Sequence, residues 1–512
     1  LTAVCRQDAR DLFYHGYNNY MDHAFPEDEL KPISCEPQTR NREDPADTGL
    51  NDVLGNYSLT LIDSLSTLAI LASGKETQTD GQDALNDFQQ GARALTELYG
   101  DGRAGSCGSR SCGFDLDSKV QVFETNIRGV GGLLSSHLFA MGELPIRGYE
   151  PKRLRSTQGE DIIQWDDGFV YDGQLLRLAH NLASRLLPAF STQTDLPYPR
   201  VNLPTGFCYP DGTSTSPPRE TTETCTAGAG SLILEFTVLS RLTDDPRFEI
   251  AAKKAFWAIW RRRSSLDLVG GGIDAESGIW TTPSLAGIGA GVDSFFEYAL
   301  KGHILLSNLP ADNFSLGVDH DFLAVWHDAH AAVKRHIQRS NLEKHPYYGL
   351  VDMVTGAPRF SWIDNLSAFY PGLLTVAGHI SEAIQSHLLF SALWTRYSAL
   401  PERWQVPTAS IDPHFRHWAG RPEFIESTYL LYQATKDPFY LHVGEMTLRD
   451  IRRRCWVPCG WTDLRDVVSG EKRDRMESFF LGETAKYLYL LFDAGHPLNT
   501  LDGAVVFTTE GH

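Results

Sequence analysis

Apolar residues recur at intervals of three and four positions along most of this chain, and polar residues fill the positions between them. In one such segment Leu175, Leu178, Ala179 and Leu182 follow this spacing. The repeat places apolar side chains on one face of an α-helix, so each segment that carries it is predicted to be an amphipathic helix. The pattern predicts about fourteen helices, in the segments 8–24, 57–73, 83–99, 122–138, 175–186, 232–239, 246–262, 289–306, 319–338, 361–378, 380–398, 420–434, 438–454 and 476–493.

Strand signals are few and short. The segments 268–280 and 349–362 carry turn residues at their centres and are predicted to be β-hairpins. The segment 467–474 is charged and is predicted to be a loop with a turn at 469–470. No Gly/Ser-rich or Pro-rich linker separates the helices into groups, so residues 1–512 are predicted to form a single domain.

Two architectures accommodate paired helices in a chain without a domain boundary. A superhelical solenoid should repeat the same words in successive helix pairs, and the sequence contains no such repeat. A closed α/α barrel fits better. We therefore predict an all-α barrel with short β-hairpins, in which the apolar C-terminal segment forms a hairpin that plugs the centre.

The C-terminal segment is unusual because it is apolar where most termini are polar. Val505, Val506 and Phe507 form a strand-like run, and two threonines and Glu510 follow it. Such a run is expected to be buried, and buried hydroxyl and carboxylate groups need partners. Hydroxyl, carbonyl and carboxylate oxygens gathered at one point suit a hard cation such as Ca²⁺. From these residues alone, the alternative is a C-terminal strand that closes the edge of a sheet.

The charge of the chain argues against one class of partner. Acidic residues outnumber basic residues by 65 to 46, which gives a formal net charge of −19. A surface this acidic repels polyphosphate, so nucleic acid is not expected as a partner. No apolar run approaches the length of a membrane-spanning helix and the first residues are not signal-like, so we expect a mature, soluble chain without a membrane span.

The cysteine content indicates an oxidising compartment, since the chain has eight cysteines. Cys107 and Cys112 share a Gly/Ser-rich loop, and Cys208 and Cys225 flank another loop. Both pairs are predicted to form local disulfides. Zinc is the competing interpretation, although no pair has the Cys-x-x-Cys spacing and no histidine cluster lies nearby. The other four cysteines could form long-range disulfides between the two ends of the chain; they are Cys5, Cys35, Cys455 and Cys459.

Three glycosylation sequons begin at Asn56, Asn313 and Asn365, and they agree with a secretory location. Asn56 and Asn365 lie in apolar stretches, where a glycan would fit badly. Asn313 follows a turn and is therefore the best candidate for modification.

Several carboxylates stand inside apolar or aromatic helical segments, namely Glu124, Asp293, Glu297, Glu423, Glu426, Glu477 and Glu483. Taken singly, each fits a helix N-terminus favoured by the macrodipole, or one half of a buried ion pair. Taken together, and with arginines and phenylalanines beside them, they predict a carbohydrate pocket. Acids and arginine bind hydroxyl groups, and an aromatic ring packs on the C–H face of a sugar. Glycoside hydrolysis also requires two carboxyl groups in distinct roles.

A series of short sequence motifs, in a fixed order along the whole chain, resembles a known protein family. They occur at 14–20, 25–30, 59–65, 123–128, 196–202, 289–298, 421–427, 474–484 and 507–510. These words resemble the family 47 glycoside hydrolases, the class I α-1,2-mannosidases. The words at 30–35, 224–227 and 457–460 resemble one branch of that family, the ER degradation-enhancing α-mannosidase-like proteins. So many motifs in the same order make a chance similarity remote.

The resemblance implies an (α/α)7 barrel, which agrees with the helix count predicted from the periodicity. It also implies an inverting α-1,2-mannosidase that trims high-mannose N-glycans with one Ca²⁺. Glu124 corresponds to the general acid, Glu423 to the general base, and Asp293 to a supporting catalytic carboxylate that could share the acid role. Inversion requires space for a water, so the carboxyl groups of Glu124 and Glu423 are expected to lie about 6.5–9.5 Å apart.

The resemblance also implies the residues that hold the metal and the sugar. Thr509 is expected to bind Ca²⁺ through its carbonyl and hydroxyl oxygens. The sugar subsite is expected to be lined by Arg128, Arg421, Glu426, Phe479, Glu483 and Glu510. Processing mannosidases of the family carry a histidine at the start of the word that reads Asn-Leu-Ser-Ala-Phe-Tyr-Pro-Gly at 365–372 here. Its absence implies a different lining of the subsite and weak turnover on free glycan.

The resemblance further implies a disulfide between Cys35 and Cys459, residence in the ER lumen, and association with a protein disulfide isomerase. A cysteine left unpaired at the chain ends would be the handle for a mixed disulfide with the isomerase. Two functions compete. One is an active mannosidase that marks misfolded glycoproteins for degradation, and the other is a mannose-binding lectin on an inactive hydrolase scaffold. The three catalytic carboxylates are present with Thr509 and Glu510, which favours the enzyme.

Overall fold

The computed structural model describes residues 2–74, 84–155, 161–206, 221–307, 321–341 and 343–512. Within these ranges, fourteen helices of at least seven residues alternate along the chain between an outer and an inner ring. The outer helices are Thr2–His23, Ala84–Tyr99, Gln174–Leu186, Arg247–Arg261, Phe322–Ala332, Ile380–Tyr397 and Pro438–Cys455. The inner helices are Leu59–Ala72, Gly131–Met141, Ile233–Thr243, Asp293–Leu306, Tyr370–Val376, Glu423–Thr435 and Ala485–Phe492. Shorter helical turns occupy Thr48–Asn51, Val122–Glu124, Thr125–Val130, Leu187–Phe190, Thr226–Gly230, Val333–Ile337, Leu366–Phe369, Phe480–Thr484 and Pro497–Thr500.

The two rings differ in how their helices are buried. Every residue of the inner helices Leu59–Ala72 and Ala485–Phe492 is buried. The outer helix Ala84–Tyr99 buries only one face, on which Phe88 and Leu95 lie. A helix that is apolar on all sides can be enclosed, whereas a helix with one apolar face packs that face against a neighbour. None of the described helices is both long and apolar enough to span a membrane.

The inner ring closes on itself. Each inner helix, or the helical turn before it, packs against the next inner helix along the chain. The last one, Ala485–Phe492, packs against the first, Leu59–Ala72, and against the outer helix Thr2–His23. The predicted (α/α)7 barrel is thereby confirmed. Because each inner helix follows an outer helix that runs the opposite way, all seven inner helices begin at the same end of the barrel.

Short strands surround that end of the barrel. The described residues contain nine small antiparallel sheets, and eight of these lie in connections from an outer helix to the next inner helix. Their strands are Glu29–Lys31, Glu36–Gln38, Lys119–Gln121, Arg200–Asn202, Glu223–Cys225, Gly272–Asp274, Leu285–Ala286, Gln338–Ser340, Pro346–Tyr348, Leu350–Asp352, Pro358–Phe360, Trp362–Asp364, Arg403–Gln405, Ser410–Ile411, Trp456–Val457, Gly460–Trp461, Asp463–Asp466 and Glu471–Arg473. The ninth sheet, at the opposite end, joins Arg153–Arg155, Asp161–Gln164 and Val170–Tyr171.

The predicted hairpins are only partly as expected. The turns in 268–280 and 349–362 are present, because Ile273 bridges Trp280 and Leu350–Asp352 pairs with Pro358–Phe360. The prediction for 467–474 is right about the turn at 469–470 and wrong about the residues after it, since Glu471–Arg473 is a strand that pairs with Asp463–Asp466. The charges there are neutralised across the pair, where Arg473 contacts the Asp463 carboxylate. Charge alone therefore did not indicate exposure.

The C-terminal segment enters the barrel without forming strands. No strand occurs in 501–512, and Val505 is 51% exposed. The chain instead turns at its end, where the Thr508 N–H donates to the His512 carbonyl over 2.9 Å and the Gly511 N–H donates to the Thr508 carbonyl over 3.1 Å. The surrounding inner helices offer no strand edge, so the backbone satisfies its hydrogen bonds within this turn. The plug is therefore a turn rather than the predicted hairpin.

The structure sorts the cysteines into two groups. Disulfides join Cys35 to Cys459, the pairing that the resemblance implies, and Cys107 to Cys112. Cys208 lies outside the described residues, and within them Cys225 forms no disulfide. Cys5 and Cys455 are unpaired but buried, with 4% and 1% of their surface exposed. Neither thiol is presented at the surface as a handle for a mixed disulfide.

The sequon at Asn313 also lies outside the described residues. Asn56 and Asn365 are buried, with 7% and 2% of their surface exposed. The Asn365 side chain donates to the Leu400 carbonyl over 3.3 Å. Burial of both side chains agrees with the expectation that neither carries a glycan.

Removal of the Cys35–Cys459 disulfide is expected to destabilise the protein by about 2–5 kcal/mol, because the bridge closes a very long loop of the unfolded chain. The two cysteines are 424 residues apart, and they tie the segment between Glu29–Lys31 and Glu36–Gln38 to the hairpin after the last outer helix. Chemical unfolding of a variant with Cys35→Ser and Cys459→Ser measures the loss. The matched control replaces Cys107 and Cys112, which are only 5 residues apart. Equal losses in the two variants would contradict the loop-closure explanation.

Candidate active site

A cavity of about 300 Å³ lies at the end of the barrel where the inner helices begin. All ten residues that the sequence and the resemblance assigned to catalysis, sugar binding and metal binding line it. They are Glu124, Arg128, Asp293, Arg421, Glu423, Glu426, Phe479, Glu483, Thr509 and Glu510. They come from segments far apart in the chain, and the parallel start of the inner helices brings them together.

Helix starts position the three candidate catalytic carboxylates. Asp293 and Glu423 are the first residues of the inner helices Asp293–Leu306 and Glu423–Thr435. Unpaired backbone N–H groups and the helix dipole favour a carboxylate at such a position. Glu124 ends a short helical turn and is followed by the π-helical turn Thr125–Val130. π-helical turns of this kind occur often at functional sites.

Arg128 connects several of the predicted residues. Its Nε donates to Glu124 Oε2 over 2.8 Å, and its Nη1 lies 3.3 Å from Glu510 Oε1. Its guanidinium also lies over the Phe479 ring, 5.1 Å from the centroid. The Arg128 side chain is 8% exposed, so these contacts are formed away from bulk water. Arg128 therefore orders one wall of the cavity and fixes the position of the Glu124 carboxylate.

The other two catalytic candidates lie in environments that favour their protonated forms. Burial raises the pKa of Asp293 well above its usual value, and the nearby carboxylates of Asp364, Glu297 and Glu423 add to the shift. Burial raises the pKa of Glu423 to about 7, although the Arg421 guanidinium opposes the shift. Glu423 Oε2 is buried and has no hydrogen-bond partner among the described residues. Two carboxyl groups with raised pKa thus share one cavity with the ion-paired Glu124, an arrangement that suits acid–base catalysis.

Two charged residues near the cavity were not predicted. Glu402 Oε1 accepts a 2.6 Å hydrogen bond from Arg421 Nε and so orients that guanidinium. Lys301 pairs with Glu297 and lies 3.8 Å from Glu426 Oε1. Glu402 follows a proline in a connection and Lys301 lies within an apolar helix. Nothing in their local sequence indicated a role.

The floor of the cavity gathers oxygen atoms around Thr509. Thr509 Oγ1 donates to Glu297 Oε1 over 3.0 Å. Glu510 Oε1 is buried, and it forms an ion pair with Arg128 but no well-aligned hydrogen bond within the described part of the chain. Burial raises the pKa of Glu426, Glu483 and Glu510, and each also repels acidic neighbours. Clustered carboxylate and hydroxyl oxygens with an excess of negative charge fit the donor set of Ca²⁺.

The C-terminal turn is held in place by contacts with residues that the sequence analysis did not single out. Lys486 Nζ donates to the Gly511 carbonyl over 2.6 Å, and His512 Nε2 lies 3.4 Å from Asp63 Oδ1. Both Asp63 and Lys486 are fully buried. These contacts hold Thr509 in place relative to the inner helices.

The word that departs from the processing mannosidases lies at the cavity wall. Leu366 and Phe369 line the cavity, whereas Asn365 does not and is buried beside Leu400. An apolar pair therefore occupies this part of the wall. The difference in lining from the processing mannosidases stays a prediction.

The metal-free protein is expected to lose stability as the pH rises from about 5 to about 8. The folded-state pKa of Glu423 is about 7 and that of Asp293 is also raised, whereas both groups titrate near about 4 in an unfolded chain. The folded state therefore holds more protons in this interval, and stability falls as those protons leave. Thermal unfolding in EDTA at a series of pH values measures the slope, and Glu423→Gln should make it shallower. A Tm that increases with pH across this interval would contradict the assignment.

Comparison with known proteins shows the family to which the chain belongs. A family model described as glycosyl hydrolase family 47 matches residues 12–512. The chain is 41% identical over 507 residues to ER degradation-enhancing alpha-mannosidase-like protein 1 of Schizosaccharomyces pombe, covering 99% of this chain and 56% of that protein. It is 39% identical over 510 residues to alpha-mannosidase I MNS5 of Arabidopsis thaliana, covering 99% and 76%. The protein of the same name from Saccharomyces cerevisiae is also similar, and the chain spans only 56% and 58% of the lengths of these two yeast proteins.

The architecture is similar to that of a solved enzyme. The alpha-1,2-mannosidase from Trichoderma reesei superposes with a TM-score of 0.76 at 22% identity, covering 100% of this chain and 98% of that one. At this identity the likeness is evidence for the fold alone. The family model, by contrast, extends over nearly the whole chain and includes every residue of the cavity floor. The chain belongs to glycosyl hydrolase family 47.

Proposed function

We propose that this chain is an inverting, Ca²⁺-dependent α-1,2-mannosidase that trims terminal mannose from high-mannose N-glycans of misfolded glycoproteins in the ER lumen. The observation that carries the proposal is the meeting of Glu124, Asp293 and Glu423 in one buried cavity with arginines and Phe479. The names of the relatives, which refer to mannosidases and to ER degradation, support the substrate and the compartment. We also propose that residues 1–512 act as one catalytic domain.

The proposed mechanism uses the different environments of the three carboxyl groups. Glu423, whose pKa burial raises to about 7, takes a proton from the attacking water as general base. The acid side consists of Glu124 and Asp293. Arg128 holds the Glu124 carboxylate in place. Because burial raises the pKa of Asp293 and keeps a proton on it, the proton delivered to the leaving oxygen originates on Asp293 or is shared with Glu124.

The other cavity residues bind and orient the sugar. Phe479 offers a ring face for the C–H face of mannose, and Arg128 and Arg421 bind hydroxyl groups. Thr509, with neighbouring carboxylates, would hold Ca²⁺, which would supply fixed positive charge that orients sugar hydroxyl groups. Glu297 positions the Thr509 hydroxyl through their 3.0 Å hydrogen bond.

A mannose-binding lectin remains the second candidate, and one observation favours it. The residue that corresponds to the general acid, Glu124, is engaged in an ion pair with Arg128. A site locked in that state would bind mannose without cleaving it. The two functions differ in whether mannose is released.

We further propose association with a protein disulfide isomerase. Cys5 and Cys455 are buried, so among the cysteines at the two chain ends the candidate for a covalent link is the Cys35–Cys459 bridge, of which Cys35 is partly exposed. An isomerase thiolate that attacks one sulfur of this bridge would form a mixed disulfide and release the other sulfur as a thiolate.

Glycan profiling tests the proposed activity. Purified chain, with Ca²⁺ and with or without a disulfide isomerase, is incubated with a denatured high-mannose glycoprotein, and the released N-glycans are measured by mass spectrometry. Loss of successive hexoses supports the enzyme, whereas binding to the glycoprotein without hexose loss in either condition supports the lectin. Proton NMR of the first product then tests inversion. β-Mannose is expected, and α-mannose would refute the inverting mechanism.

A further inference from the structure

We propose that His330, His379 and Glu382 form a binding site for a divalent transition-metal cation, with Zn²⁺ as the best fit. The three side chains meet on the outer ring of the barrel. His330 lies in the last turn of the outer helix Phe322–Ala332, and His379 and Glu382 lie at the start of the next outer helix, Ile380–Tyr397. None of the three lines the catalytic cavity.

The distances suit a shared cation. One ligand atom from each residue can be chosen so that all three lie within 4.8 Å of one another. His330 Nε2 and Glu382 Oε2 are 3.6 Å apart, and the stacked rings of His330 and His379 have centroids 4.6 Å apart. Two ligands of one tetrahedral Zn²⁺, each at about 2.0–2.1 Å, lie about 3.3 Å from each other. Only a small movement of side chains is needed to close the site.

Unsatisfied buried atoms point into this gap. His330 is 6% exposed, and its Nε2 has no hydrogen-bond partner among the described residues. Glu382 Oε2 is also buried and has no hydrogen-bond partner among the described residues. Buried polar atoms of this kind are rare, and a cation would satisfy both.

Outer partners already hold two of the ligands. His330 Nδ1 lies 2.9 Å from the Tyr370 hydroxyl, and Glu382 Oε1 accepts a 2.6 Å hydrogen bond from Lys334 Nζ. When a cation binds His330 Nε2, the ring proton resides on Nδ1, where the Tyr370 oxygen can accept it. Metal-binding histidines and carboxylates characteristically have such partners, which fix the ring orientation and the tautomer.

The donor set identifies the class of metal. Two imidazole nitrogens and one carboxylate oxygen are ligands that suit Zn²⁺, with a water at the fourth position. Ca²⁺ prefers six to eight oxygen ligands, whereas only one of the three side chains here offers oxygen, so this site differs from the one proposed at Thr509. Bound metal would clamp two neighbouring outer helices at the point where one ends and the next begins.

Metal binding by tag-free protein tests the proposal. The protein is stripped with a chelator, restored with Ca²⁺, and titrated with Zn²⁺ by calorimetry and with Co²⁺ by visible absorption. About one equivalent is expected to bind, with the intense Co²⁺ bands of a tetrahedral site. Tyr370→Phe is expected to weaken binding by about 10–100-fold, and His379→Ala by more than that.

The matched control is His327→Ala, because His327 is an exposed histidine on the same outer helix as His330. It is expected to bind Zn²⁺ and Co²⁺ as the unaltered protein does. His379 and Glu382 are only partly buried, so His379→Ala and Glu382→Gln should fold, which circular dichroism checks. Absence of binding in the unaltered protein, or unchanged affinity in both His379→Ala and Glu382→Gln, would overturn the proposal. The readout is independent of mannose release, so it stands apart from the proposed function.

Discussion

Replacement of Glu423 by glutamine is expected to lower mannose release by about 10²–10⁴-fold while leaving the fold intact. Glutamine has the shape of glutamate but cannot accept the proton of the attacking water. Glu423 begins an inner helix, and its Oε2 makes no hydrogen bond in the described part of the chain that the substitution would break. The measurement is kcat/KM for hexose release, with circular dichroism and thermal unfolding as checks of the fold.

The matched control is Glu445→Gln on the outer helix Pro438–Cys455, because Glu445 is exposed and does not line the cavity. It is expected to trim at the normal rate. Glu124→Gln should lower kcat as Glu423→Gln does, and both variants should still bind the glycan. Near-normal trimming by purified Glu423→Gln would remove that residue from the role of general base. Unchanged binding with no hydrolysis in the unaltered protein would instead favour the lectin.

Chelation is expected to abolish mannose release, and added Ca²⁺ is expected to restore it. The oxygen atoms around Thr509 carry an excess of negative charge, and burial raises the pKa of Glu426, Glu483 and Glu510. Without a cation this charge is uncompensated, so the cavity floor should become less ordered and its affinity for sugar hydroxyl groups should fall. Mannose release in EDTA, followed by titration with Ca²⁺, measures the dependence.

Thr509→Ala is expected to weaken Ca²⁺ and glycan binding together, because the hydroxyl that meets Glu297 over 3.0 Å is lost. Thr500→Ala, in the same C-terminal segment but exposed and outside the cavity, is the control and should leave both unchanged. Calorimetric titration with Ca²⁺ distinguishes the two variants. Full activity in a sample shown by elemental analysis to be free of metal would contradict the proposed dependence on Ca²⁺.

Helix periodicity was sufficient to predict the architecture, although not the extent of each helix. The window 83–99 corresponds to Ala84–Tyr99, and 438–454 corresponds to Pro438–Cys455. The window 361–378 was less accurate, because Trp362–Asp364 is a strand. Packing against other segments decides such short strands, and a pattern read within one window does not contain that information.

The site was predictable where a carboxylate interrupts an apolar segment, and it was not predictable elsewhere. Asp293 and Glu423 were visible because acids are rare among buried aromatic residues. Glu402 and Lys301 act through neighbours that are distant in sequence or one helical turn away. A charged side chain in a connection has many possible partners, and only the folded chain selects one.

By itself, the sequence determined that this protein is a ring of paired helices with buried acids, because apolar spacing and isolated carboxylates are local properties of the chain. The tertiary structure alone decided that Arg128 pairs with Glu124, whereas Glu423 Oε2 has no hydrogen-bond partner among the residues that the structure describes. It also decided that the segment at Thr509 enters as a turn rather than a hairpin. It also decided that Cys5 and Cys455 are buried apart from any disulfide. The physical reason is that proton affinity, ion pairing and burial depend on atoms brought together from distant segments, and closure of the barrel sets those distances.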